Sequence, residues 1–593
     1  MNERLETAAS IAARIRAAAE DHRGRLSWTT LTMDGARASW RTSESLYSGV
    51  AGIALLFLEL RDLRTAEGAL RWLVAECEER EATHFGFYTG RLGVADVLGR
   101  AYDLTGDRAW LEAALRIARP GAESPNATSL ADVLSGHAGA VLALLRLHAR
   151  RPETWIVQWI DRLLARLVSE CTLAPVGVHW DRSGHQMQGL CGLSHGASGC
   201  GLAFLEAGRY FGDDALLAVA REAFAYEAAR FDANTGNWPD YRRSAYTEEE
   251  REREQTALAA GRLDYFRQPA DMNAWCHGAL GIGLVRLRAA ELLPGEGYAA
   301  EAEAALRKTR GTPWGDALTL CHGGAGAAML FSRAGLHADA DPIVAAIAAA
   351  ERAGRPFRSG YARTEEEDRS LMMGIAGIAY ALIGPRHPIL LPICDSAPHP
   401  VRGDFAIINR GAGAIARRML STRYRRTIDA LPPAALDAEL TRSRLPAMRA
   451  ALDRCVAASL NGAAAAYVHE RAKEHLDTSI ESRALLRVLR ARRLAGAATI
   501  LNAPDADLAR IPLAAAAECR RSGDTLLIAT PEGVLDVPLA PLTAWLLDRF
   551  RAGASPGDVA ADAVADHDGD ERAREVVLAQ IRELVAAGIL AAS

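Results

Sequence analysis

The sequence lacks any apolar run near the roughly 20 residues that a bilayer-spanning helix needs. Its first residues, MNERLETAASIAARIRAAAEDHR, are charged and amphipathic, without the apolar core of a secretory signal. Both absences point to the cytoplasm. A basic excess is missing too. The formal charge is −5, so the electrostatic footprint of a nucleic-acid binder is absent. Cysteine is sparse and scattered. There are nine, an odd number, which argues against a disulfide framework. Most read as small buried apolar residues. Cys321 is an exception, because His322 follows it. The remaining composition, 49% hydrophobic and 24% charged, is that of a soluble globular protein. A length of 593 residues allows two to four domains.

What the chain does have is a repeated phrase. G-x-x-G followed by an apolar helical run occurs seven times, with first glycines at Gly49, Gly90, Gly136, Gly196, Gly278, Gly323 and Gly374. One copy means little, whereas seven at steps of mostly forty to sixty residues signal a repeat architecture. Each step fits a helix pair. The glycines stand at the helix start, where a missing Cβ permits close backbone approach. Amphipathic segments such as TAEGALRWLVAECEER lie between copies and read as outer partners. An open solenoid would need polar capping repeats, and neither end copy is one. The expected fold is therefore mainly α, a closed seven-hairpin α/α toroid.

Two copies carry chemistry. NAWCHGALGIGL places Cys276 and His277 before the fifth pair of glycines, and LTLCHGGAGAAML places Cys321 and His322 before the sixth. If both phrases open neighbouring inner helices, these side chains emerge at the same end. Cys276, Cys321 and His322 then form a Cys₂His set, which zinc accepts with a fourth position left open. Spacing alone is equally compatible with buried cysteines and turn histidines; recurrence in register favours the metal. His277 would close the site as a fourth ligand, so it reads as lining or supporting it. His195, in GLSHGASG, shares the register of His277 and His322 and reads as an acid–base group. Asp132 is either a helix N-cap or a carboxylate facing the centre. No role is assigned to His137. The phrase NWPDYR, with Asp240 and Arg242, reads as a loop at the toroid mouth, and the charge run after it as solvated.

These motifs stand in the order of the lanthionine synthetase C-like cyclases, and the sequence resembles that family over about residues 35–395. WCHG, CHGG, GLSHG and NWPDYR are closest in wording to the cyclase half of class II lanthipeptide synthetases. The resemblance implies a toroid with one catalytic Zn²⁺ on Cys276, Cys321 and His322. It implies catalytic roles for His195 and Asp132, with His277, Asp240 and Arg242 as substrate-binding or supporting residues. The implied reaction adds a precursor-peptide cysteine to dehydroalanine or dehydrobutyrine, forming a thioether ring. Zinc deprotonates a bound thiol that is otherwise mostly neutral. Class II enzymes carry a dehydratase ahead of this domain. Here the first toroid helix begins almost at once, so a separate dehydratase is the expected partner, together with the precursor peptide.

The expected domains are a cyclase toroid over 1–395, a helical connecting domain over 396–507 and a winged-helix domain over 508–593. In the second, RALLRVLRARRLAGAATIL reads as a solvated arginine-rich face. In the third, GDTLLIATPEGVLDVPL reads as two strands around a turn, followed by three helices. Ser555, Pro556 and Asp558 mark one helix start. This pattern resembles PqqD-like leader-recognition elements, which bind a leader peptide as an added strand. Its third helix mixes Glu571, Glu575 and Glu583 with Arg572, Arg574 and Arg582, a poor surface for phosphates. Two other readings compete: a non-catalytic toroid that scaffolds the precursor or a dehydratase, and a zinc toroid that adds another thiol, such as glutathione.

Overall fold

The computed structural model describes residues 3–34, 37–124, 126–180, 189–242, 271–358, 366–432, 448–459, 463–478, 483–516, 518–530, 533–550 and 554–592, with a few isolated positions between them. Helix dominates. An N-terminal helix α1 (Glu3–Ala17) precedes a hairpin of β1 (Thr30–Asp34) and β2 (Arg37–Arg41). Six antiparallel-order helix pairs follow in sequence. They are α2 (Val50–Glu59) with α3 (Leu63–Glu79), α4 (Arg91–Thr105) with α5 (Arg108–Glu123), and α6 (His137–Arg150) with α7 (Thr154–Glu170). Next come α8 (Ala197–Phe211) with α9 (Asp214–Ala228), α10 (Ala279–Leu292) with α11 (Tyr298–Arg310), and α12 (Gly324–Arg333) with α13 (His337–Arg352). The last inner helix, α14 (Ile375–Ile383), packs against α1.

The first glycine of every G-x-x-G is the N-cap of the first helix of its pair. The second glycine lies one turn in, where the helix passes its own entry loop. A Cβ at Gly281 would stand 2.1 Å from the Trp275 carbonyl oxygen, and one at Gly326 would stand 2.2 Å from that of Leu320. The phrase is thus a loop–helix close-packing device. Helices α2, α8 and α14 bury nearly every residue. The outer partners α3, α5 and α9 bury one face and start at side-chain caps: Asp62, Asp107 and Asp213 accept from the backbone N–H of Thr65, Ala109 and Ala215.

The inner helices pack in a closed cycle: α2 on α4, then α6, α8, α10, α12 and α14, which returns to α2. Their entry loops close a second cycle through the backbone. Tyr47 N–H donates to Tyr88 O (2.8 Å), Tyr88 N–H to Leu134 O (3.0 Å), and Val133 N–H to Ser194 O (3.0 Å). Ser194 N–H donates to Cys276 O (3.2 Å), Trp275 N–H to Cys321 O (2.8 Å), Cys321 N–H to Met372 O (2.9 Å), and Met372 N–H to Tyr47 O (3.0 Å). Every acceptor lies two residues before the first glycine of its copy. This girdle satisfies polar loop backbone that would otherwise be costly to bury.

Beyond the last inner helix, Asp161 of α7 accepts from the backbone N–H of Ala406, Ile407 and Ile408, tying the chain back onto the helix pairs. Helices α15 (Gly411–Leu420), α16 (Arg425–Ala430), α17 (Met448–Ala457), α18 (Ala463–Thr478) and α19 (Arg483–Leu501) follow. The arginine-rich α19 does not stand free in solvent. It packs on a C-terminal helix, buries Ala497 and Ile500, and pairs Arg493 with Glu518. After the short α20 (Asp505–Leu508) come β3 (Leu513–Ala515), β4 (Cys519–Ser522), β5 (Thr525–Thr530) and β6 (Gly533–Pro538). Then follow α21 (Pro541–Phe550), α22 (Pro556–Asp566), α23 (Arg572–Ala586) and β7 (Leu590–Ala592). The two expected strands are β5 and β6. They belong to a three-stranded antiparallel sheet in the order β6-β5-β4, while β7 pairs with β3. Polar CRRS hid β4, because an exposed edge strand needs no apolar alternation. Ser555 caps α22 in a capping box with Asp558.

Candidate metal centre

Cys276 and Cys321 occupy one register, two residues before the glycines that cap α10 and α12, and both carbonyls are links of the backbone girdle. The Cys276 loop is the odd one: Gly278 takes φ +86° where the other six capping glycines are extended. The Asn237 side chain compensates by accepting from Ala279 N–H at 2.9 Å. His322 follows in the turn into α12. The two sulfurs and a His322 ring nitrogen lie within 4.8 Å of one another. Cys276 Sγ is 3.3 Å from His322 Nε2, and Cys321 Sγ is 4.0 Å from it. Both cysteines are buried, while His322 is half-buried. No other trio of His, Cys, Asp or Glu converges in this way among the described residues. Two sulfurs and one imidazole are a donor set that zinc accepts, so the residues fit the ion.

Beside this trio stands an acid–base pair. His195, in the turn into α8, places Nδ1 2.6 Å from Asp132 Oδ2. Asp132 Oδ1 accepts from Ser135 N–H at 2.8 Å. The carboxylate therefore caps its own turn and holds the imidazole at once. His195 keeps 31% of its side chain exposed. Its ring lies 5.7 Å from that of His277, near-parallel at 26°.

The sequence profile of the family described as "Lanthionine synthetase C-like protein" matches residues 41–394, more than half of the chain. The chain belongs to that family. Among solved structures, "Nisin cyclase" is similar at 17% identity and a TM-score of 0.44, over 61% of this chain and 93% of its own. No curated protein matches the chain. No helix among the described residues is long and apolar enough to cross a membrane.

The electrostatics of this LanC-like site divide its titratable groups. Hydrogen bonding from the Cys321 thiol, with His322 and His277 nearby, pulls Cys276 well below the usual thiol range against its burial. Burial pushes Cys321 up. Burial opposes a charged His195, but the Asp132 hydrogen bond and charge outweigh it and raise the imidazole above its ordinary value. His277 goes the other way: burial pulls it down to about 4, so it is neutral at pH 7. Its Nδ1 lies 3.1 Å from Cys191 O, which assigns the proton there, and its buried Nε2 has no hydrogen-bond partner among the described residues.

Asp240 and Arg242 adjoin His277. Asp240 Oδ1 is 3.9 Å from His277 Nδ1, and its two oxygens take Arg242 Nη2 at 2.7 Å and Nε at 3.0 Å. Burial opposes ionisation of Asp240, but the Arg242 hydrogen bonds win and hold its carboxyl below the usual range. The charge run after Arg242, residues 243–270, lies almost wholly outside the described residues. His137 is a packing residue, buried with Nδ1 on Thr128 Oγ1 at 2.5 Å.

Three neighbours went unread in the sequence. Tyr47 Oη donates to Cys321 Sγ at 3.1 Å, and His322 Nδ1 lies 3.2 Å from Met373 Sδ. Both carried a signal, since Tyr47 shares the register of the cysteines and Met373 that of the histidines. Glu227 of α9 carried none. It accepts from Gly192 N–H and Ser198 N–H, each at 2.8 Å, and from Arg286 Nη2 at 3.1 Å, so it clamps both ends of the His195 loop.

Proposed function

We propose that this chain is a zinc-dependent thioether cyclase. It joins a cysteine of a precursor peptide to dehydroalanine or dehydrobutyrine, forming lanthionine or methyllanthionine. The observation that carries this reading is the convergence of Cys276, Cys321 and His322 in a lanthionine synthetase C-like chain. We read the closed cycle of inner helices as an α/α toroid whose entry loops gather at the reaction end. The expected division into a cyclase toroid (1–395), a helical connector (396–507) and a winged-helix module (508–593) is part of the same proposal.

Cys276, Cys321 and His322 would hold the zinc. Bound there, the ion supplies a Lewis acid that lowers the pKa of a substrate thiol. The residues of the chain do the rest. The substrate thiolate adds to the β-carbon of the dehydro residue, and negative charge develops on the adjoining carbonyl. His195, kept protonated by Asp132, gives its Nε2 proton to the α-carbon. The next turnover restores that proton from the incoming thiol. Arg242, fixed by Asp240, supplies N–H donors for a peptide carbonyl. Neutral His277 stacks beside His195 and adds no competing charge. The nine cysteines form no disulfide with one another, in keeping with the reducing, cytoplasmic compartment proposed here.

The partners are a dehydrated precursor peptide and the dehydratase that makes it. The C-terminal module supports leader binding. Strand β6 is paired on one side alone among the described residues, and Leu535 and Val537 stand exposed on it. Val576 on α23 is exposed as well. Arg582 of α23 is occupied by the carbonyls of Leu501 and Ala503 and by Asp505, which weakens a phosphate-reading role.

Cyclisation leaves mass unchanged and consumes thiols, so free thiol on a dehydrated precursor is the readout. Wild type is expected to consume it, and Cys321→Ala to bind no zinc and leave the thiol at the uncatalysed rate. A zinc-loaded wild type that consumes no thiol would defeat the reading and favour a scaffold.

A further inference from the structure

The register two residues before the first glycine places seven residues around the girdle: Tyr47, Tyr88, Leu134, Ser194, Cys276, Cys321 and Met372. Two are the candidate sulfur ligands. A third, Tyr47, reaches one of those sulfurs. Its hydroxyl lies 3.1 Å from Cys321 Sγ, although 274 residues separate them. The backbone fixes both ends of this contact. Cys321 N–H donates to Met372 O, and Met372 N–H donates to Tyr47 O, so two hydrogen bonds link the two residues through the seventh copy. The neighbouring residue of that copy, Met373, sets its sulfur against His322 Nδ1. Residues of the first and seventh copies therefore flank Cys321 and His322. His322 Nε2 lies nearer Cys276 Sγ, at 3.3 Å, than Cys321 Sγ, at 4.0 Å.

We propose that Tyr47 is a positioning residue for the metal centre, whose hydroxyl hydrogen bond orients the Cys321 sulfur and withdraws charge from it, making the two sulfur ligands unequal. The inference rests on the zinc reading above. An O–H donor stabilises the lone pairs of a thiolate, which lowers its donation to a metal. Such outer partners orient ligands and tune the bound ion. Weaker donation from Cys321 leaves the ion a stronger acceptor for the thiol that arrives at the open position. A phenylalanine here would keep the half-buried ring and remove the hydroxyl that donates to Cys321.

The test is cobalt substitution of the full-length protein, comparing wild type with Tyr47→Phe and Tyr88→Phe. Tyr88 is the control. It stands at the same register, but its hydroxyl binds Ile389 O at 2.5 Å, away from the sulfurs. The sulfur-to-cobalt charge-transfer band reports thiolate donation. In Tyr47→Phe the sulfur-to-cobalt band is expected to move to lower energy, as the sulfur regains the charge that the hydroxyl withdrew. Tyr88→Phe is expected to overlay the wild-type spectrum. Superimposable spectra of Tyr47→Phe and wild type would overturn the proposal. So would an equal shift in Tyr88→Phe, because the band would then report general packing. A wild type that binds neither cobalt nor zinc would instead refute the metal centre itself.

Discussion

Asp132 spends its two oxygens on different tasks, one on the turn into α6 and one on His195. Only the second has a part in the proposed chemistry. Asp132→Asn keeps a turn acceptor but removes the charge that raises the imidazole. The pKa of His195 should then fall. If the protonated imidazole is the acid, activity declines as pH rises through that pKa. The alkaline limb of the kcat/KM profile should thus move to lower pH, with a loss at neutral pH of about 10²–10⁴-fold, the range for one acid–base group. Zinc content should not change. An unmoved limb would place the proton elsewhere. At this scale the sequence was readable where residue type is rare at a register. Cysteine and histidine before glycine announced themselves. Tyr47 did not, because an aromatic at that register also packs as core, as Tyr88 does. Glu227 could not be found at all, since its work lies in long-range bonds to Gly192, Ser198 and Arg286.

At the scale of elements, the inner helices were legible because close packing of each helix on its entry loop demands glycine at a fixed place. The sheet was only partly legible. Apolar β5 carries alternation, whereas polar β4 carries none. Strand β6 is the element whose surface asks for a partner. Leu535 and Val537 alternate on one face, and Asp536 between them is tied to α18 through Lys473 at 2.8 Å and His469 at 3.4 Å. The strand is held from one side and exposed on the other. A leader added as a strand would cover that apolar pair. The double change Leu535→Asp with Val537→Asp should weaken precursor binding at least about tenfold, reflecting two lost apolar contacts of about 1 kcal/mol or more each. Cyclisation of a leaderless dehydrated peptide should be unaffected. Equal affinity in a fluorescence-anisotropy titration would remove the leader-binding role from this edge.

Across the whole molecule, closure was expected but its means were not. The seventh inner helix is followed by proline-rich LIGPRHPILLPICDSAPHP, which offers no amphipathic partner. The partner is α1, from the opposite end of the chain, with Arg4 Nη2 donating to Ala381 O at 2.9 Å. A pairing across more than 370 residues leaves no local pattern. The girdle was invisible for a related reason, because backbone hydrogen bonds do not depend on side-chain type. Yet the girdle is what brings Cys276 and Cys321 to the same place, and the account stands or falls on that meeting. The most direct measurement is zinc K-edge X-ray absorption on the purified full-length protein. The account predicts about one zinc per chain, with two sulfur scatterers at about 2.3 Å and nitrogen or oxygen at about 2.0 Å. A protein without zinc, or zinc surrounded by nitrogen and oxygen alone, would contradict it.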